Sequence, residues 1–167
     1  LTALHCAGVF SEKDFLMLSY KRGELMAQAA KIPGSMTAVK TDVQQLQELI
    51  DTWGFDVVIA NHNGPTQAVL SGPTGSIIKA EEELAKNRIP FQRLRVGTAF
   101  HSHVVGGSVE EFTAYLADRS FSAPHTKVFA NKTAEIYPRS PQQIKKILAE
   151  QIASPVRFVE MIEAMHE

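Results

Sequence analysis

A chain of 167 residues, 44% of them hydrophobic and with a formal net charge of −1, holds enough apolar material for one domain or two small lobes and shows no compositional sign of disorder. Balanced charge excludes a nucleic-acid binder, which needs a basic face to displace phosphate counterions, and no apolar run reaches membrane-spanning length. The single cysteine, Cys6, rules out an internal disulfide, and without a signal-peptide pattern the expected compartment is the reducing cytoplasm.

In chain order, Leu1 to Gly8 reads as the middle of a helix with no cap, which suggests a piece of something longer; Cys6 is expected to pack in it. Ser11-Glu12-Lys13-Asp14 resembles a capping box and opens a helix to about Ala30, closed by Pro33-Gly34. A short β-like run follows over Met36 to Lys40, and Asp42 with Gln45 opens a helix through Trp53 that Gly54 stops. Asp56 to Ala60 and Gln67 to Ser71 read as strands flanking Asn61-His62-Asn63-Gly64-Pro65 as a hairpin connection. Thr74 is expected to cap a helix to about Asn87, and Gln92 to Ala99 forms a last strand. That βαββαβ order is the split βαβ, or ferredoxin-like, arrangement. Beyond it, Ser108 and Glu111 suggest a capping box for a helix to about Asp118. Lys127 to Ala130 reads as a strand, Pro141 to Ile152 as a helix, and Val156 to Met165 as an amphipathic segment that stops without a capping glycine.

The expected architecture is therefore α/β, with a small lobe at 33–99 inserted between flanks, 1–32 and 100–167, that belong to a larger body. The strand leaving the lobe would deliver His101 to the seam, a common place for a site. Arg22 falls on the apolar stripe of Phe15, Leu18, Leu25, Met26 and Ala29. A guanidinium there either takes an anion such as a carboxylate in its planar fork, or packs its stem and sends its head to solvent or to a structural acid. His101 is by itself as compatible with a structural histidine as with a proton carrier. His101-Ser102-His103 also invites a metal reading, but no carboxylate lies nearby and His62 is the one further candidate ligand, so no metal is expected.

These residues resemble the malonyl-CoA:acyl carrier protein transacylases, including the acyltransferase domains of polyketide, fatty acid and polyunsaturated fatty acid synthases. Leu1 to Phe10 is similar to the segment following the family's Gly-His-Ser-x-Gly-Glu nucleophile elbow. Tyr20-Lys21-Arg22-Gly23-Glu24-Leu25-Met26 is similar to the segment whose arginine binds the malonyl carboxylate. Asn61-His62-Asn63-Gly64-Pro65-Thr66-Gln67 resembles the Asn-x-Asn-Ser-Pro-x-Gln hairpin, with Gly64 in place of the serine. Thr98-Ala99-Phe100-His101 resembles the His-Ala-Phe-His signature of malonyl-selective domains, with Thr98 replacing the first histidine. Gln151 to Phe158 resembles the Gln-x-x-x-Pro-Val-x-Trp/Phe segment.

The resemblance implies an α/β-hydrolase-like acyltransferase body carrying a ferredoxin-like subdomain. It implies ping-pong transfer of malonyl from coenzyme A, through an acyl-serine, to the phosphopantetheine thiol of an acyl carrier protein, with no permanently bound cofactor. The partners it implies are malonyl-CoA, the carrier protein and other domains of a megasynthase, with no nucleic acid and no membrane. The elbow's serine would lie four positions before Leu1, outside this sequence. His101 becomes the general base, the Gln151 backbone carbonyl its orienting group, and Arg22 the carboxylate ligand. Phe100 is expected to crowd the substrate's α-carbon, and Asn61 and Asn63 are carried over as substrate-binding. The reading from a different class is a non-catalytic piece that docks a carrier protein; a transacylase for another acyl unit is the nearest enzymatic rival.

Overall fold

The computed structural model describes residues 1–166. Its elements run α1 (Thr2–Cys6), α2 (Glu12–Ala29), β1 (Ser35–Val39), α3 (Val43–Trp53), β2 (Val58–Gly64), β3 (Gln67–Gly72), α4 (Thr74–Lys86), β4 (Phe91–Arg93), α5 (Gly107–Ala117), α6 (Pro141–Glu150) and α7 (Phe158–His166). Tight 3-10 turns lie at His103–Val105 and Gln151–Ala153. The fold is α/β. Local chemistry explains the helix ends. The Ser11 hydroxyl accepts from the Asp14 amide at 3.1 Å, and Asp42 Oδ1 accepts from the Gln44 and Gln45 amides at 2.8 and 3.2 Å, satisfying donors that have no intrahelical partner. Gly54 ends α3 in the left-handed region, φ 63°, which costs a residue without a Cβ nothing.

The strands form one sheet in the order β2-β3-β1-β4 with every neighbouring pair antiparallel. Period-two alternation gives it two apolar faces. One carries Val39, Ala68 and Leu70 against Leu46 and Ile50 of α3 and Ile77, Ala80 and Leu84 of α4, all buried. The other carries Met36, Ala60 and Val69, with Leu94 and Phe100 packed on them. Each of the larger side chains among them, the Val, Leu, Ile and Met residues, contributes about 1.5–3 kcal/mol on leaving water. A separate core gathers Leu4, Val9, Leu18 and Leu25 with Phe112, Leu116, Ile144, Leu148 and Ile152, so residues before and after the sheet pack on each other.

Several expectations are corrected. The last strand stops at Arg93 instead of Ala99. Register pairs Thr37 with Arg93 and the Leu94 amide still reaches the Met36 carbonyl at 2.9 Å, but β1 begins at Ser35, so the chain beyond has little left to pair with. The expected 61–65 connection is mostly strand: β2 continues to Gly64, with register shifts after Ile59 and His62, and the turn is Pro65-Thr66. Its extension has a cause on the other edge, where the Val156 amide donates to Ala60 O at 2.8 Å and the His62 amide to Val156 O at 2.9 Å. Thr74 and Ser108 are helical residues, not caps; α4 and α5 are preceded by Pro73 and Gly106. Residues 127–130 make a single bridge, Phe129 to Ile136, closed by a tight turn at Ala130–Ala134. Cys6 is exposed, because the buried side of the five-residue α1 is Leu4's and Cys6 lies about 200° around the helix from it.

Candidate active site

His101 does not sit in a strand. It occupies a turn with φ 56°, a left-handed conformation that costs a residue with a Cβ about 1–2 kcal/mol. The neighbouring hydroxyls hold it there. Ser102 Oγ donates to Ala99 O at 2.6 Å and accepts from the Val104 amide at 3.3 Å, starting the 3-10 turn. Ser71 Oγ, from β3, donates to Phe100 O at 2.7 Å. The loop is also packed closely from behind: a Cβ on Gly34 would lie 2.5 Å from the Ala99 nitrogen, so the chain leaving the sheet can pass there only over a glycine.

The His101 ring reaches across to the segment after α6. Nδ1 lies 3.2 Å from Gln151 O and 3.0 Å from Ser154 O. Both partners are carbonyls, which only accept, so Nδ1 carries the proton and Nε2 presents a lone pair. The Gln151 carbonyl thus lies at the His101 ring, and the Ser154 carbonyl is a second acceptor that sequence reading missed, because a backbone carbonyl leaves no mark in residue type. Gln151 Nε2 donates to the same Ser154 carbonyl at 3.2 Å and Ser154 Oγ to Glu150 O at 2.7 Å, which stiffens the cradle. Burial holds the imidazole below its usual pKa; the two carbonyls pull it up, and the Arg22 charge pushes it down again.

Arg22, on α2, is half-buried as its place on the apolar stripe predicts. Burial lowers its pKa, and among the described residues its guanidinium has no hydrogen bond or ion pair. A charge in that position lacks the partner that would offset its partial desolvation. Arg22 and Gln151 share the wall of a cavity of about 970 Å³ with Phe15, Met26, Leu148 and Met161. Its wall, among the described residues, does not include Phe100, His101, Asn61 or Asn63. Phe100 packs on the apolar face of the sheet. Asn61 is bridged to Val156 on the β2 edge, and Asn63 is exposed near the end of that strand. Thr98 is fully buried, and its hydroxyl has no partner among the described residues.

The α/β frame thus holds an imidazole whose Nδ1 meets two carbonyls and, on α2, a half-buried guanidinium without a partner among the described residues. Comparison with known proteins shows the family: the chain belongs to the acyl transferase domain family, which it matches over residues 1–167. It is 38% identical to the polyketide biosynthesis protein ThaF of Burkholderia thailandensis over 99% of this chain and 14% of that protein. It is 36% identical to the polyketide biosynthesis malonyl CoA-acyl carrier protein transacylase BaeC of Bacillus velezensis over 96% of this chain and 55% of that one. Among solved structures, a malonyl CoA-acyl carrier protein transacylase from Burkholderia pseudomallei superimposes with a TM-score of 0.89 at 35% identity, over 98% of this chain and 56% of that one. The acyltransferase domain from the second module of the salinomycin polyketide synthase gives a TM-score of 0.85 at 28% identity, over 98% and 38% of the two chains. The chain thus spans little more than half the length of these relatives at most.

Proposed function

We propose that this chain is part of a malonyl-transferring acyltransferase, which loads malonyl from coenzyme A onto the phosphopantetheine thiol of an acyl carrier protein within polyketide- or fatty-acid-type synthesis in the cytoplasm. The observation that carries the reading is a His101 held by the Gln151 and Ser154 carbonyls, in a chain where Gln151 also lines the cavity that Arg22 lines without a partner among the described residues. The nucleophile is the serine that the resemblance sets four positions before Leu1. His101 Nε2 takes its proton as the serine oxygen bonds to the thioester carbonyl carbon, and returns that proton to the coenzyme A sulfur as the C–S bond breaks. In the second half the carrier thiol gives its proton to Nε2, its sulfur bonds to the acyl carbon, and the serine oxygen leaves with the proton. The carbonyls of Gln151 and Ser154 fix the tautomer throughout, a neutral counterpart to the aspartate of a hydrolytic triad.

Arg22 takes the free malonyl carboxylate, and Phe100 restricts bulk at the α-carbon. The likeness of Asn61 and Asn63 to the family's hairpin supports a substrate-binding place for them too. Residues 1–32 and 100–167 are read as one body of α/β-hydrolase type and residues 33–99 as a ferredoxin-like subdomain; the strand order β2-β3-β1-β4 supports the latter. Other domains of a megasynthase are the expected neighbours, a reading that the 14% share of ThaF supports.

The test is Arg22→Ala in the full-length protein. Removing one partner of a buried ion pair costs about 3–5 kcal/mol, and for the half-buried Arg22 about 3–4 kcal/mol, so malonyl loading drops roughly a hundredfold to a thousandfold while acetyl loading is spared or raised. Malonyl loading at the wild-type rate would overturn the carboxylate role, and absence of any acyl loading by the wild-type protein would favour the docking alternative.

A further inference from the structure

Ser71 is an oddity of its strand. It lies on β3 opposite Met36 of β1 and Val58 of β2, next to the apolar patch of Met36, Ala60 and Val69, and it is completely buried. Alanine would fill that position as well, and a buried hydroxyl costs free energy unless it is hydrogen-bonded. Its bond goes to a single place, the carbonyl of Phe100, at 2.7 Å and 29 residues away in sequence. That carbonyl belongs to the peptide joining Phe100 to His101, so its direction is tied to the φ of His101, which is the strained one at 56°. Ser102 contributes a local bond to Ala99 O of the kind many turns make. The Phe100 side chain packs on the sheet and His103 approaches Asp56, both without touching the Phe100–His101 peptide itself; among the described residues the Ser71 hydroxyl is the side-chain hydrogen bond that holds that peptide to the sheet.

The geometry points to Ser71 as a positioning residue for acyl transfer: it clamps the Phe100–His101 peptide and so keeps the His101 ring on the Gln151 and Ser154 carbonyls. This rests on the reading of His101 as the general base. The clamp touches neither substrate nor reacting atoms. Without it the peptide can rotate and His101 can relax toward negative φ, which swings Nδ1 off its two acceptors and Nε2 off the serine. The chemical step would slow while malonyl binding at Arg22, on another element, would persist.

Two measurements on the full-length protein test this. In Ser71→Ala, kcat for malonyl loading should fall about tenfold, the rate equivalent of one hydrogen bond, with KM for malonyl-CoA within about twofold of wild type. Ser71→Cys, which keeps the size and a weak donor, should fall in between. Independently of activity, carbethoxylation of His101 by diethyl pyrocarbonate, read by peptide mass spectrometry, should become several-fold faster in Ser71→Ala while that of His62 on β2 is unchanged. Wild-type kcat together with wild-type labelling of His101 would overturn the assignment. So would equal acceleration of His62 and His101, because that reports loosening of the whole sheet. If the wild-type protein loads no malonyl but His101 alone labels faster in Ser71→Ala, the functional reading fails and the clamp stands.

Discussion

Three influences act on the charge of His101, and burial is the largest of them. It lowers the pKa, the carbonyls of Gln151 and Ser154 raise it, and the Arg22 cation lowers it further, for a net decrease. A histidine ordinarily titrates near 6.5, so the lowered one is neutral at pH 7 and competent as a base. The acid limb of acyl loading should therefore fall below about pH 6.5. Removing Arg22 removes a repulsion against the imidazolium, so the limb should move to higher pH. Acetyl-CoA is the substrate for that comparison, since Arg22→Ala is expected to keep its loading. A limb that stays in place or moves to lower pH would mean that the two charges do not communicate. At this scale the sequence was informative where a side chain contradicts its surroundings. Arg22 stood out because a cation interrupts an apolar stripe. The Ser154 carbonyl did not, and neither did Ser71, because a serine in a strand has no signature until its partner is known.

Elements behave differently, because their ends are set either by their own residues or by their neighbours. The start of α3 at Asp42 and its end at Gly54 follow from a cap and a left-handed glycine, both local, and both were legible. The end of β4 depends on where β1 begins, and the length of β2 depends on Val156, nearly a hundred residues later, so neither could be read from a nearby window. One contact between elements carries a further expectation. Thr37 of β1 is fully buried and donates to Glu81 of α4 at 2.5 Å, and Arg93 of β4 holds the same carboxylate through Nε at 3.0 Å. Burial raises the Glu81 pKa, but the bonds from Arg93 and Thr37 outweigh it and leave the carboxyl below its usual range. Its contribution is thus complete above the ordinary carboxylate range and is lost as pH falls through the lowered value. Glu81→Ala leaves the Thr37 hydroxyl buried without an acceptor, which should cost about 1–3 kcal/mol of local stability. Hydrogen exchange of β1 and α4 amides at pH 7 measures this. The double variant with Thr37→Val should recover part of the loss, and undiminished protection in Glu81→Ala would show that the contact contributes nothing.

At the scale of the molecule, two of the fastenings between the sheet and the rest of the chain bear on His101. One is the Ser71 hydroxyl on Phe100; the other is backbone, where Val156 pairs with Ala60 and His62 along the free edge of β2. The second stitch begins two residues after Ser154, whose carbonyl holds the His101 ring; the next amide, of Arg157, leaves the sheet and donates to Asn131 O at 2.9 Å. The sheet thereby grips both the turn that carries the imidazole and the segment that orients it. Such an arrangement makes the edge of β2 matter to chemistry although no side chain of it lines the cavity with Arg22. Val156→Pro tests the coupling. Proline has no amide proton to give Ala60, so the ladder bond is lost while the Gln151 and Ser154 residues themselves are unaltered. Slackening of the cradle should then lower kcat for malonyl loading by about tenfold or more, the equivalent of at least one hydrogen bond. KM should change little, since Arg22 stands on α2. If kcat stays at the wild-type value while exchange shows the Ala60 and His62 region opened, the carbonyl cradle does not need the sheet, and the two stitches are independent fastenings rather than one frame around the imidazole.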